Sequence, residues 1–191
     1  APRRRRNRVE PDRNVKKTVN FGVRRLALLS ILTALCYVGR MMFQFIPNVQ
    51  PVTAVLIILT LTLGMTDGFI VAILSIVLTN FLLGMGPWTI AQIASFGVLI
   101  VVTGLVMKPF YSTSQKRGLR IVFALFAFFG GLLYGFVISV ISVKLMGINS
   151  FWAYYIAGIP FDLMHGLGNA SFYLILEPIL APLLLAQKKK T

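Results

Sequence analysis

Six apolar segments follow one another along the chain, separated by short breaks rich in Gly, Pro and polar residues. Breaks such as FIPNVQP after the first segment and GMGPWT after the third end helices, because proline cannot continue them. Most segments approach the roughly 20 residues that a helix needs to cross a bilayer. The pattern predicts an all-α integral membrane protein, a six-transmembrane-helix bundle with spans at 24–45, 52–63, 69–83, 90–107, 119–143 and 160–186.

The second segment, 52–63, is shorter than a bilayer requires. We therefore expect it to be bent or shielded by neighbouring helices, with a tight turn at Gly64–Gly68 after it. The polar, Arg-rich residues 1–23 are predicted to be a mobile cytoplasmic tail. Residues 24–187 are predicted to form one membrane domain, and residues 188–191 a second basic cytoplasmic tail.

Composition agrees with a membrane location, since 57% of the 191 residues are hydrophobic and 13% are charged. The net charge of +14 raises the alternative of a nucleic-acid binder, but 17 of the 19 Lys and Arg residues fall in three clusters, at 3–25, 108–120 and 188–190. Basic segments that bracket apolar spans stay on the cytoplasmic side. The chain is expected to be a multi-pass protein of a bacterial inner membrane with both termini in the cytoplasm, and to contact lipid but no nucleic acid.

Three polar residues lie in the predicted sixth span, where Asp162, His165 and Asn169 follow at i, i+3 and i+7. This spacing places them on one face of a helix. Polar groups at membrane depth are costly and indicate a functional site. Each also has a structural alternative. Asp162 would complement the start of a helix that begins at Pro160, His165 would be a packed core residue, and Asn169 would bond to another helix.

The same residues do not indicate an enzyme. An intramembrane hydrolase needs a nucleophile paired with its base, and a metalloprotease needs a second His in a motif such as H-E-x-x-H. The sequence has neither, and its only cysteine, Cys36, excludes an internal disulfide and a cysteine-based metal cluster. We predict no catalytic residue, no metal site and no intrinsic cofactor.

Amide and aromatic residues gather in the three predicted outer loops. Ligand pockets combine apolar walls with a few placed polar groups, and these residues suit a polar organic ligand. For the aromatic residues the alternative is the belt of rings at the headgroup level. Together with the three residues of the sixth span, the predicted ligand set comprises Gln44, Asn48, Gln50, Trp88, Gln92, Trp152, Tyr155, Asp162, His165 and Asn169.

The first span carries a stripe of small residues, Ala27, Ser30 and Ala34. Small residues four positions apart allow another helix to approach closely. The partner helix would belong either to a second protein or to the same bundle, and spacing alone does not distinguish them.

These features resemble the substrate-binding S-components of energy-coupling-factor (ECF) vitamin transporters. The resemblance covers residues 24–185 and rests on the six spans, the small-residue stripe, PNVQPVTAV after the first span, GMGPWTIAQI opening the fourth and GIPFDLMHGLGN opening the sixth. It implies a subunit that binds a vitamin on the outer side and docks through Ser30 and Ala34, and by extension Ala27, onto a membrane coupling (T) protein carrying two ATPase subunits.

No G-x-x-x-x-G-K-[ST] sequence occurs, so ATP hydrolysis is expected on those partners. The motif pair PNVQPVT and GPWTIAQI resembles members associated with cobalamin, which is the first expected cargo. The alternative is pantothenate or another small acidic vitamin, with Arg40 pairing its carboxylate. A stand-alone channel or proton-linked carrier using Asp162 and His165 is the alternative outside this family.

Overall fold

The computed structural model of the chain describes residues 13–111 and 117–188, with the side chains of 13–21 and 117 outside that description. The described residues form six α-helices and no strand. The helices are α1 (Arg13–Met42), α2 (Val52–Thr62), α3 (Met65–Leu83), α4 (Pro87–Val102), α5 (Arg117–Met146) and α6 (Phe151–Lys188), with a π-helical turn, Thr103–Met107, and a 3-10 turn, Lys108–Phe110, after α4.

The short helix α2 is the centre of the bundle. It contacts each of the other five helices, and every residue from Val52 to Thr62 is buried. A helix that is apolar on all sides is stable only when it is surrounded. Its threonines fit this environment, because the hydroxyls of Thr60 and Thr62 donate to the carbonyl oxygens of Leu56 and Ile58 at 2.7 and 2.8 Å. The predicted shielding of this segment is confirmed.

The other five helices are each long and apolar enough to cross a membrane: the spans are Gly22–Met42, Met65–Leu83, Pro87–Phe110, Gly118–Met146 and Phe151–Lys188. Helix α2, with 11 residues, is not. The structure thus supports a membrane helical bundle with five long spans around one short central helix. The expected count of six full spans is not confirmed.

The two ends of the described chain lie at the same end of the bundle. Arg25, in the first half of α1, pairs with Asp67 in the first turn of α3, and the Lys188 ammonium group at the end of α6 donates to the Thr62 carbonyl oxygen at 3.1 Å. We call this the inner end, and the opposite one, with Arg40 and Lys144, the outer end. Of the predicted tails at 1–23 and 188–191, residues 1–12 and 189–191 lie outside the described residues, whereas the backbone of 13–23 and of Lys188 is helical.

Several predicted boundaries differ from the structure: α1 ends at Met42 instead of 45, α4 begins at Pro87 instead of 90, so that Trp88 lies on α4, and α5 ends at Met146 instead of 143. Helix α1 begins at Arg13, eleven residues before the predicted start at 24. The predicted turn Gly64–Gly68 is shorter than expected, because only Gly64, with φ of 134°, has a conformation that interrupts the helix. Helix α3 begins directly after it, and Asp67 lies in its first turn, where a negative charge is favourable. The chain after α4 continues as the π-helical and 3-10 turns to Phe110, three residues past the predicted end.

The start of α6 is the boundary that matters most, because the helix begins at Phe151 and not near Pro160. The hydroxyl oxygen of Ser150 accepts the backbone N–H of Ala153 at 3.3 Å, as an N-cap does. Pro160 therefore lies inside the helix, where neighbouring helices make an internal proline tolerable. Trp152 and Tyr155 lie on α6 rather than in an outer loop. Asp162 is three turns from the start of the helix, so it does not complement its N-terminus.

Candidate functional site

A pocket of 260 Å³ opens at the outer end of the bundle. Its wall comes from the end of α1, the α1–α2 loop, and the outer halves of α3 to α6. Five residues of the predicted ligand set meet here, although they are separated by up to 118 positions in the chain. The lining residues are Arg40, Phe43, Gln44, Ile46, Asn48, Val49, Gln50, Leu83, Gln92, Tyr134, Ile138 and Asp162.

The α1–α2 loop forms one side of the pocket and is held to α6 by Asn48. The Asn48 side-chain amide donates to the Phe161 carbonyl oxygen at 3.4 Å. Its backbone has φ of 57°, a left-handed conformation that Asn tolerates better than most residues. Gln44 and Asn48 are exposed and Gln50 is half-buried. The loop therefore presents amide groups to a solute while remaining fixed to the bundle.

Arg40 and Asp162 place a cation and a carboxyl group in the same pocket. The Arg40 Nη1 donates to the Thr79 hydroxyl oxygen at 2.7 Å. Asp162 is 7% exposed, and its Oδ2 has no hydrogen-bond partner. The ion pairs of the described residues are Arg25–Asp67 and Arg120–Glu177, so Arg40 and Asp162 do not neutralise each other. A ligand with an anionic group and a hydrogen-bond donor would satisfy both.

Gln92 is held by a residue that the sequence analysis did not single out. The Asn80 side-chain amide donates to Gln92 Oε1 at 2.7 Å and to the Thr89 hydroxyl at 2.9 Å. The Gln92 amide oxygen therefore already accepts one hydrogen bond, and its NH₂ group remains to donate to a ligand. The sequence offered one signal for Asn80, because Thr79 and Asn80 are adjacent polar residues near the end of an otherwise apolar span.

Tyr134 separates the pocket from a deeper polar layer. Its ring lies 4.9 Å from the His165 ring, edge to face, and 4.7 Å from the Phe96 ring, while one side lines the pocket. Thr53 and His165 Nε2 are hydrogen-bonded at 2.8 Å, and His165 Nδ1 has no hydrogen-bond partner. His165 lies beneath Tyr134 and not in the pocket wall. Its environment is that of a packed core residue, which the sequence analysis gave as the alternative to ligand binding.

Asn169 lies deeper on the same face and is fully buried, with neither amide atom hydrogen-bonded. The buried face continues to Tyr173 and Glu177, so the polar row that the sequence indicated at three positions extends over five. In this structure neither His165 nor Asn169 lines the pocket. Their assignment to the ligand stays a prediction.

The predicted aromatic ligands also lie away from the pocket wall. Trp88 is 41% exposed and its ring covers Gly86, while Trp152 is 67% exposed. Tyr155 packs on Phe136 and Phe151 at ring distances of 5.6 Å. These outward positions suit the aromatic belt, and their contact with ligand stays a prediction.

The small-residue stripe faces outward from the bundle. Ala27, Ser30 and Ala34 are exposed, whereas Leu29, Leu32 and Cys36 on the opposite face of α1 are buried. The Ser30 hydroxyl donates to the Leu26 carbonyl oxygen at 2.9 Å, which hides its polarity from an approaching surface. In this structure the stripe does not pack within the bundle, and its contact with a coupling protein stays a prediction.

The model of the family described as "ECF transporter, substrate-specific component" matches residues 24–177. The chain belongs to this family. Comparison with curated proteins and with solved structures finds no match.

ECF S-components are substrate-binding rather than catalytic subunits, and the family implies docking on an ECF module and a multi-pass membrane location. The geometry of this S-component fits that role. The outer pocket offers hydrogen-bonding groups from the α1–α2 loop and from α1, α4 and α6. The matched segment includes the whole outer pocket and the small-residue stripe.

Proposed function

We propose that this S-component captures a small vitamin carrying an acidic group from the outer side of the membrane and delivers it inward when docked on its ATP-driven coupling module. The observation that carries the choice of cargo is the outer pocket, where Arg40 and Asp162 are present together but unpaired. The Arg40 guanidinium would bind the carboxylate of the vitamin. Asp162 and the amides of the α1–α2 loop would bind its hydroxyl or amide groups.

The volume of the pocket favours pantothenate, or another small acid, over cobalamin, the first candidate from the sequence. At 260 Å³ the pocket lies near the lower limit of about 300 Å³ for ligand sites. Cobalamin is several times larger, so most of it would remain outside the pocket. A small acid with an amide and hydroxyl groups would be enclosed.

Binding of pantothenate and of cyanocobalamin to the purified full chain tests the cargo. Pantothenate is expected to bind, and Arg40→Gln is expected to weaken it about tenfold or more, since a charge-assisted hydrogen bond contributes about 1.5–3 kcal/mol. Lys144→Gln is the matched control, because it removes an outer-end cation that does not line the pocket. Tight cyanocobalamin binding that is insensitive to Arg40→Gln would restore the first candidate.

The docking face of this proposal is Ala27, Ser30 and Ala34, with the coupling protein and its two ATPase subunits as partners and the inner end in the cytoplasm. Support comes from the exposure of all three residues on the face of α1 that points away from the bundle. Ser30→Trp or Ala34→Trp is expected to abolish ATP-dependent uptake in proteoliposomes while binding by the isolated chain is retained. Leu125→Trp, at an exposed position of α5, is the control. Uptake without ATPase subunits would contradict the proposal.

A further inference from the structure

A second cavity, which we call the inner groove, lies at the opposite end of the bundle and has a volume of 720 Å³. It is formed by the middle of α1, the end of α2, the start of α3 and the end of α6. Its lining residues are Arg24, Arg25, Ala27, Leu28, Ile31, Leu63, Asp67, Gln187 and Lys188.

The inner groove is divided into a charged mouth and an apolar wall. Arg24, Arg25 and Lys188 are at the mouth, with Asp67 as the one acidic lining residue. Asp67 is paired with Arg25, through Arg25 Nε at 2.9 Å, and no described carboxylate pairs with Arg24. Lys108 adds a further cation nearby, since its ammonium nitrogen would lie 3.4 Å from a Cβ on Gly64. The mouth therefore has an excess of positive charge.

The wall extends from this charge toward the middle of the bundle. Ile31 is seven residues from Arg24, about 10 Å deeper along α1, and it is 66% exposed. Leu28 and Leu63 complete the apolar surface. A molecule that fits such a groove has an anionic head and an apolar chain.

We propose that the inner groove binds one anionic phospholipid, with its phosphate at Arg24 and Lys188 and an acyl chain along Leu28, Ile31 and Leu63. Two arguments favour this occupant over a protein segment. The described cations Lys108 and Arg120 lie at the same end of the bundle as the mouth, and each Lys or Arg near an anionic leaflet contributes about 1 kcal/mol to lipid binding. The wall is continuous with exposed apolar residues of α1 such as Leu26 and Val38, which acyl chains would cover while the chain is not docked through Ala27, Ser30 and Ala34.

Thiol alkylation tests this occupancy, because Cys36 is fully buried and gives little background. The variant Ile31→Cys in the full chain is treated with N-ethylmaleimide in neutral detergent containing phosphatidylglycerol or phosphatidylcholine of the same acyl chains. We expect phosphatidylglycerol to slow alkylation at least about fivefold more than phosphatidylcholine does. Val38→Cys, on the same helix but outside the groove, is expected to respond equally to both lipids.

Equal protection of Ile31→Cys by the two lipids would overturn the proposal, as would equal selectivity at Val38→Cys. Protection by inorganic phosphate alone would show a free-anion site instead of a lipid site. Protection that requires the coupling protein and is indifferent to lipid would assign the groove to a protein segment.

Charge variants in the Ile31→Cys background test the mouth. Arg24→Gln with Lys188→Gln is expected to remove the preference for phosphatidylglycerol, while Lys144→Gln at the outer end retains it. Arg24→Gln alone, which leaves the contact between Lys188 and Thr62 intact, is expected to reduce the preference by about fivefold. A preference that persists in both Arg24 variants overturns the assignment of the head group to these residues.

Discussion

Two carboxyl groups on α6, Asp162 and Glu177, are buried to similar extents, 7% and 3% exposed, but have opposite surroundings. Glu177 at the inner end has its Oε2 2.9 Å from Arg120 Nε and accepts the Tyr111 hydroxyl at 3.2 Å. Asp162 at the outer end opens into a pocket without a cation bound to it. Burial alone therefore does not identify a binding residue at membrane depth. The difference is whether the protein itself supplies the partner.

We therefore assign a stabilising role to the cluster of Tyr111, Arg120 and Glu177 at the inner end, and a recognition role to the outer pocket. Tyr111 and Arg120 lie on either side of the α4–α5 connection, and both contact Glu177 on α6. In the outer pocket, Arg40 and Asp162 are left for a ligand to neutralise. Variants at the inner end should change unfolding and leave binding intact, whereas variants at the outer end should change binding.

The largest effect is expected from Arg120→Ala, which leaves the Glu177 carboxylate buried without its cation. Removal of one partner of a buried pair costs about 3–5 kcal/mol, and because the Arg120 side chain is about one third exposed we expect about 2–3 kcal/mol. Thermal unfolding of the purified chain measures the loss, while the affinity for the vitamin should be unchanged. Lys144→Ala, an exposed cation, is the control. An affinity loss as large as the stability loss would end the division between the two ends.

Gly135→Ala tests the outer end by displacing Asp162. A Cβ on Gly135 would lie 2.0 Å from the Asp162 carboxyl group, so that side chain must move. Overpacking of this kind costs about 1–3 kcal/mol, and we expect the ligand affinity to fall about tenfold because Asp162 leaves its position. On α6, Gly158→Ala has open space around the added methyl group and should bind as the wild type does. Unchanged affinity in Gly135→Ala would remove Asp162 from the site.

The architecture was largely predictable because membrane helices follow from apolar length. The shielding of α2 followed from its shortness, since a helix too short for the bilayer must be covered by protein, but its central position did not. The start of α6 was missed because Pro160 resembled a first-turn proline, while the N-cap at Ser150 stood before an aromatic cluster typical of an interfacial loop. Local signals conflicted there, and packing on α5 decided between them.

The polar loop residues of the pocket were predictable, but Tyr134, which separates the pocket from His165, was not. Gln44, Asn48 and Gln50 are close in sequence, so their meeting followed from one loop. Tyr134 was missed because one tyrosine in an apolar span has no distinguishing neighbour. His165 and Asn169 share a helical face with Asp162 as predicted, but the rings of Tyr134 and Phe96 limit how deep the pocket reaches.

A smaller effect is expected from Thr53→Val, which tests the layer beneath the pocket. Thr53 is the hydrogen-bond partner of His165 Nε2, at 2.8 Å from a fully buried ring. Loss of that partner leaves a buried polar atom unsatisfied, at a cost of about 1–3 kcal/mol. Thermal unfolding should show this loss, and Thr60→Val, whose hydroxyl bonds only within its own helix, should show less. A loss of affinity without loss of stability would instead place His165 in contact with the ligand.

The smallest effect belongs to pH and concerns Tyr111 at the inner end, just beyond the fourth long span. Burial, and then the neighbouring Glu177 carboxylate, raise the pKa of Tyr111 above its ordinary value of about 10. An acid whose folded pKa is raised stabilises the fold below its unfolded pKa, and this contribution is lost as the pH rises toward the folded pKa. Unfolding scans from pH 8 to about pH 11 should therefore show a steeper decline for the wild type than for Tyr111→Phe. Because lysines titrate over the same range, only the difference between the two proteins carries the inference, and parallel curves would show that Glu177 does not depend on a neutral phenol.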